Sequence, residues 1–111
     1  MARYDFLKSA EGSVTLMQPA FAALGAVLAE RRAEAELTTE ELAEQVGAEG
    51  GDWIRAVEAG TARIPSVMFR SYARSFGMTT DAFARLCVMH YDPYAFEALF
   101  GTSPTGLRAA A

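Results

Sequence analysis

Between Thr38 and Gly60 the chain has room for two short helices and a turn, and for nothing longer. Thr38 is followed three residues on by Glu41, a pair in which each side chain can satisfy a backbone N–H of the other at a helix start. Leu42, Ala43 and Val46 then share one side of that helix, and Gly47 stops it, because glycine takes the left-handed conformation cheaply at a helix end. The result is a helix of about eight residues. The next helix begins near Gly51 or Asp52, where the aspartate can cap, turns Ile54 and Val57 inward and ends at Gly60.

The same start and stop grammar organises the rest of the 111 residues. Pro19 suits a first helical turn, and Phe21, Leu24, Leu28 and Ala35 recur at spacings of three and four or their sum, which predicts a helix over about 19–35. After "TARIP" a helix from about Ser66 to Phe76 carries Val67, Phe69, Tyr72, Ala73 and Phe76 as its apolar stripe, and Gly77 closes it. Thr79 or Thr80 caps another helix with Phe83, Leu86, Cys87 and His90 on its apolar side. Asp92, Pro93 and Gly101 frame a last short one, "YAFEALF". Ala, Leu, Glu and Arg abound and β-branched residues are few, so an all-α fold is expected. The division that follows is an unassigned N-terminal arm over 1–18, a helical domain over 19–90, an aromatic C-terminal helix over 91–101 and a flexible tail over 102–111.

Two short helices joined by a glycine turn, the second with Ile and Val inside, make a helix-turn-helix unit, in which the second helix is pushed outward toward the DNA major groove. The flanking segments are more specific. "LGAVLAERRAEAELTTEELAEQVG", "IRAVEAG", "ARIPS" and "SYARSFGMTTDAF" follow one another in an order and spacing that resembles the XRE family, the Cro and phage-repressor type of transcription regulator, over roughly residues 21 to 86. The resemblance implies a compact five-helix lambda-repressor-like domain, here with an extra short C-terminal helix. It also implies double-stranded DNA as partner, read by a dimer whose third helix, about 51–59, enters the major groove.

Carried over position by position, the resemblance places phosphate contacts at Thr38, Thr39 and the loop around Arg63, and base-facing positions at Gly51, Asp52, Arg55 and Ala56, with Ala59 at the far end of that face. Three departures stand out. The turn "GAEGGD" is one residue longer than the family norm, a register that sends Ile54 rather than Trp53 inward. Thr39 replaces a frequent Gln, and Glu36 stands where a glycine commonly ends helix one. Readout is also sparse: only Arg55 offers a fork able to make a bidentate base contact, worth about 1–3 kcal/mol of discrimination. Gly50 and Gly51 can let the backbone approach phosphates, with Arg55, Arg63 and the Arg31–Arg32 pair supplying charge.

Charge sharpens the question. The net charge is −4, which disfavours indiscriminate binding to a polyanion. Eight acids lie from Glu30 to Asp52 against Arg31 and Arg32, whereas Arg55, Arg63, Arg70, Arg74 and Arg85 face only Glu58 and Asp81 in the next stretch, so one side of the molecule can still be positive. The surplus of aromatic and aliphatic residues at Tyr91, Tyr94, Phe96, Leu99 and Phe100 predicts either packing onto the domain or a homodimer contact. An alternative follows: a helix-turn-helix-derived protein-interaction module, acting as a co-regulator or adaptor on the transcription machinery.

No cofactor, metal site or catalytic set is expected. His90 is alone between Met89 and Tyr91, and Cys87 is the single cysteine, which reads as a buried apolar residue in a reducing, cytoplasmic setting. The longest apolar run, Ala20 to Ala29, is far short of the roughly 20 residues a membrane span needs.

Overall fold

The computed structural model of the protein describes residues 20–101, so the 1–18 arm, Pro19 and the 102–111 tail lie outside the described residues. Every regular element among them is helical: α1 (20–34), α2 (Thr39–Val46), α3 (Gly51–Ala59), a single 3₁₀ turn (Ser66–Met68), α4 (Phe69–Phe76), α5 (Thr80–Tyr91) and α6 (Pro93–Phe100).

The ends follow from local chemistry. Thr38 accepts from the Glu41 N–H and its own N–H is taken by the Glu41 carboxylate, so the capping box closes in both directions. Gly47 (φ 80°) and Ala48 both donate to the Ala43 carbonyl, which satisfies the end of α2 before the chain turns. Thr79 caps α5 through Ala82, and Asp92 caps α6 through Ala95 with Pro93 in the first turn. The end of α1 departs from this pattern: Glu36 itself takes φ 59°, a conformation that glycine adopts with less strain.

One core unites the helices. Leu24 and Leu28 of α1, Leu42, Ala43 and Val46 of α2, Ile54 and Val57 of α3, Ile64, Tyr72 and Ala73, and Phe83, Cys87 and Tyr91 of α5 are all buried. Tyr72 stacks on Phe83 with ring centroids 5.3 Å apart. Two glycines set how closely α1 meets α3. A Cβ on Gly25 would run into the backbone carbonyl of Glu58, and Gly60 (φ 87°) lies against the backbone of Ala22.

Two expectations are corrected. Val67 is 83% exposed rather than part of the inner stripe, because the chain enters α4 through the 3₁₀ turn, whose tighter pitch turns Val67 out while Met68 and Phe69 pack against the core. Asp52 does not cap α3: Gly50 occupies that position, and no side chain caps the helix. At the other end of the chain α6 buries only Phe96, leaving Tyr94 84% and Leu99 67% exposed.

Candidate nucleic-acid interface

The α2–turn–α3 unit is held from behind by an ion pair. Arg32 Nε donates to Glu58 Oε2 at 2.7 Å and Nη2 to Glu58 Oε1 at 3.1 Å, while Nη1 donates to the Leu37 carbonyl at 2.9 Å. Both side chains are largely covered, with 21% and 11% of their surfaces exposed. Glu58 raises the pKa of Arg32 further above its ordinary range. Arg32 thus ties α1, the 35–38 connection and α3 together, and its fork is not on an open surface. Arg31 lies out in solvent beside Glu34.

Held this way, α3 turns Gly51, Ile54 and Val57 into the protein. Asp52, Arg55 and Ala59 face out, and Ala56 is half-buried beside them. The longer turn therefore adopts the register that buries Ile54 and leaves Trp53 half-covered at the edge of the core. Trp53 forms one wall of a shallow depression with Gly47, Ala48, Glu49, Arg63, Pro65 and Met68. The outward row of α3 is thereby bordered on one side by the start of α2 and on the other by Trp53 and Arg63.

Arg55 is engaged on three sides. Its Nη1 donates to Thr39 Oγ1 at 2.7 Å and to Glu40 Oε2 at 3.3 Å, and its Nη2 donates to Asp52 Oδ1 at 2.5 Å. Thr39 is buried and its own hydroxyl donates a hydrogen bond to Glu40 Oε1 at 2.9 Å. Asp52 first and Glu40 second raise the Arg55 pKa. The Thr39 hydroxyl, the local backbone N–H and Arg55 hold the Glu40 carboxyl below its ordinary range.

Gly51 belongs to the same arrangement. A Cβ there would lie 2.5 Å from Glu40 Oε2 and 2.8 Å from Thr39 Oγ1, so the missing side chain makes room for Glu40 to fold over the first turn of α3. The glycine that stands open to solvent-side approach is Gly50, where an added Cβ would meet nothing within 4 Å.

Arg63 is positioned differently. Its guanidinium lies 4.8 Å from the centroid of the Tyr91 ring, and it makes no ion pair among the described residues. The Tyr91 hydroxyl accepts from the Ile64 N–H at 3.1 Å, and Ile64 is buried, so the loop after α3 is fastened to the end of α5. Burial pushes the Tyr91 phenol up, opposed by that N–H.

Of the seven sequence-derived site residues, Asp52, Arg55 and Ala56 therefore meet on the outward side of α3, Thr38 lies exposed at the start of α2, and Arg63 lies exposed on the far border. Thr39 and Gly51 sit beneath Glu40 instead of on the open face. Glu40, Glu58 and Tyr91, which shape the site, are not among the sequence-derived site residues, although Glu40 and Glu58 lie within the segments "LTTEELA" and "IRAVEAG" and Tyr91 within the C-terminal aromatic group. No group of three metal-binding side chains occurs among the described residues, and no described helix is long and apolar enough to cross a membrane.

A short α2, a glycine turn and an α3 that stands with one face outward are the parts of a helix-turn-helix domain, the class of DNA-binding regulators in general. The helix-turn-helix domain family matches residues 23–87, well over half of the chain, and the protein belongs to that family. No match was found among curated proteins or among solved structures.

Proposed function

We propose that this protein is a sequence-selective DNA-binding transcription regulator of the XRE type that lays α3 in the major groove. The observation that carries the reading is the outward row Asp52, Arg55, Ala56 and Ala59, bordered by the exposed start of α2 on one side and Arg63 on the other. A helix inserted in a groove has a phosphate strand along each flank, and these borders are where the strands would run. Thr38 and Arg63 contact phosphates, Arg55 reads a base, Asp52 and Ala56 face the groove floor, and Thr39 and Gly51 support Arg55 from below. The functional unit is a homodimer joined through α6, whose exposed Tyr94 and Leu99 supply an apolar two-fold contact.

The test is a duplex-selection experiment at low salt with the dimer confirmed by sedimentation. One enriched sequence is expected, with Arg63→Ala lowering affinity for all duplexes and Arg55→Ala relaxing preference at one position. A dimer that enriches no sequence would overturn the proposal.

A second reading, a co-regulator or adaptor that kept the architecture and docks on transcription machinery, is favoured by the carboxylates around Arg55 and by the bare side of α6. It expects Arg55→Ala and Arg63→Ala to be silent, and Tyr94→Ser with Leu99→Ser to abolish partner capture while the chain stays folded.

A further inference from the structure

We propose that Glu40 and Asp52 are specificity-determining residues that clamp Arg55 in the free protein, so that only a duplex offering Arg55 a better set of acceptors is bound well. The inference rests on the DNA-binding reading above and deepens it. Neither carboxylate needs to contact DNA for this effect; each acts by competing for the one base-reading fork.

The geometry supports a clamp rather than a chance surface pair. Three acceptors on two helices converge on the two terminal nitrogens of Arg55. One of them, Thr39, is buried, and it also fastens Glu40 through a second hydrogen bond. Gly51 supplies the space into which Glu40 folds. Three of the five N–H bonds of the guanidinium are engaged, so a bidentate contact with a base requires at least part of the clamp to open.

The charge count gives the consequence. With the clamp closed, Arg55 faces the duplex accompanied by Glu40 and Asp52, a local sum of one negative charge, which opposes approach to phosphates whatever the sequence. With the clamp open on a matching base, Arg55 exchanges exposed ion pairs, weak in water, for two aligned hydrogen bonds inside a groove. The penalty falls on every duplex and the compensation on one. Discrimination then arises by rejecting the wrong partner, which suits a face whose other members are glycine and alanine.

The test compares wild type, Glu40→Gln with Asp52→Asn, and Gly51→Ala. The last keeps every charge and displaces the Glu40 carboxylate and the Thr39 hydroxyl. Affinity at low salt is measured for the selected duplex and for the unselected pool, and the Arg55 guanidinium is followed by nitrogen-15 NMR in the absence of DNA. Wild type should show slowed rotation of the Arg55 terminal nitrogens, weakened at both in the charge-removing variant and at Nη1 in Gly51→Ala, which leaves the Asp52 bond to Nη2 in place. The charge-removing variant should bind the unselected pool tighter by up to about five-fold, the upper size of one exposed charge pair. Its ratio of selected to unselected affinity should fall by a similar factor, and Gly51→Ala should lower that ratio in the same direction. A ratio unchanged in both variants overturns the clamp while leaving the DNA-binding reading intact. Freely rotating Arg55 nitrogens in wild type also overturn the clamp. Absence of duplex binding by all three proteins overturns both readings together.

Discussion

Replacing Arg32 by methionine keeps the aliphatic stem that packs at the α1–α3 junction and removes three charge-assisted hydrogen bonds at 2.7, 3.1 and 2.9 Å. It also strands Glu58, a carboxylate with only 11% of its side-chain surface exposed. Hydrogen bonds to charged groups contribute about 1.5–3 kcal/mol, and loss of one partner of a fully buried pair costs about 3–5 kcal/mol. Arg32 retains 21% exposure, so water reaches the gap and the cost falls short of the fully buried range. The expected loss is about 2–3 kcal/mol, or roughly 10–20 °C in Tm for a domain of this size. Glu58→Gln keeps an acceptor and should lose about 1–2 kcal/mol. The Arg32→Met, Glu58→Met double variant leaves no charge unpaired, so its loss should fall short of the sum of the corresponding single variants by about 2 kcal/mol. Urea unfolding followed by circular dichroism gives each value from the midpoint at constant slope. Single variants within about 0.5 kcal/mol of wild type, adding without coupling in the double, would show that the pair does not hold α3 to α1.

Gly25→Ala should be destabilising by about 3 kcal/mol, because its methyl meets the Glu58 backbone and the two helices must part, whereas Gly47→Ala, left-handed but in open space, should lose only about 1–2 kcal/mol; both are read from urea midpoints. Glu36→Gly relieves a left-handed glutamate and should raise stability by about 0.5–1 kcal/mol in the same assay, with the binding surface unaffected. Burial pushes the Cys87 thiol up to about 12, so from pH 7 to pH 9 a disulfide reagent should react with it only through unfolding, with a rate that tracks urea concentration; prompt labelling in buffer would contradict its burial.

Most of the helical plan is legible in the chain because its signals are local. Thr38 with Glu41, Gly47, Gly60, Thr79 and Asp92 with Pro93 each act within one turn of the boundary they set. The register of the long turn is legible too, since one extra turn residue is what keeps Ile54, Val57, Glu58 and Gly60 together in their expected places. What is not legible depends on how elements meet. Arg32 finds Glu58 across 26 residues and Ile64 finds Tyr91 across 27, distances at which spacing carries no information. Arg55 is legible as the only fork on α3, but its capture by Glu40 and Thr39 follows from the crossing of α2 on α3. Val67 misleads because a helical period applied to a 3₁₀ turn points the side chain the wrong way.

In the proposed mode of binding, the outward row of α3 and its borders form the DNA-facing surface. Titration of the isotopically labelled protein with duplex at low salt tests it most directly, through the amide and side-chain signals that move. Perturbations gathered at Thr38, Asp52, Arg55, Ala56 and Arg63 that weaken as salt rises are expected. Perturbations confined to α6, or none on α3 at any salt concentration, would contradict it.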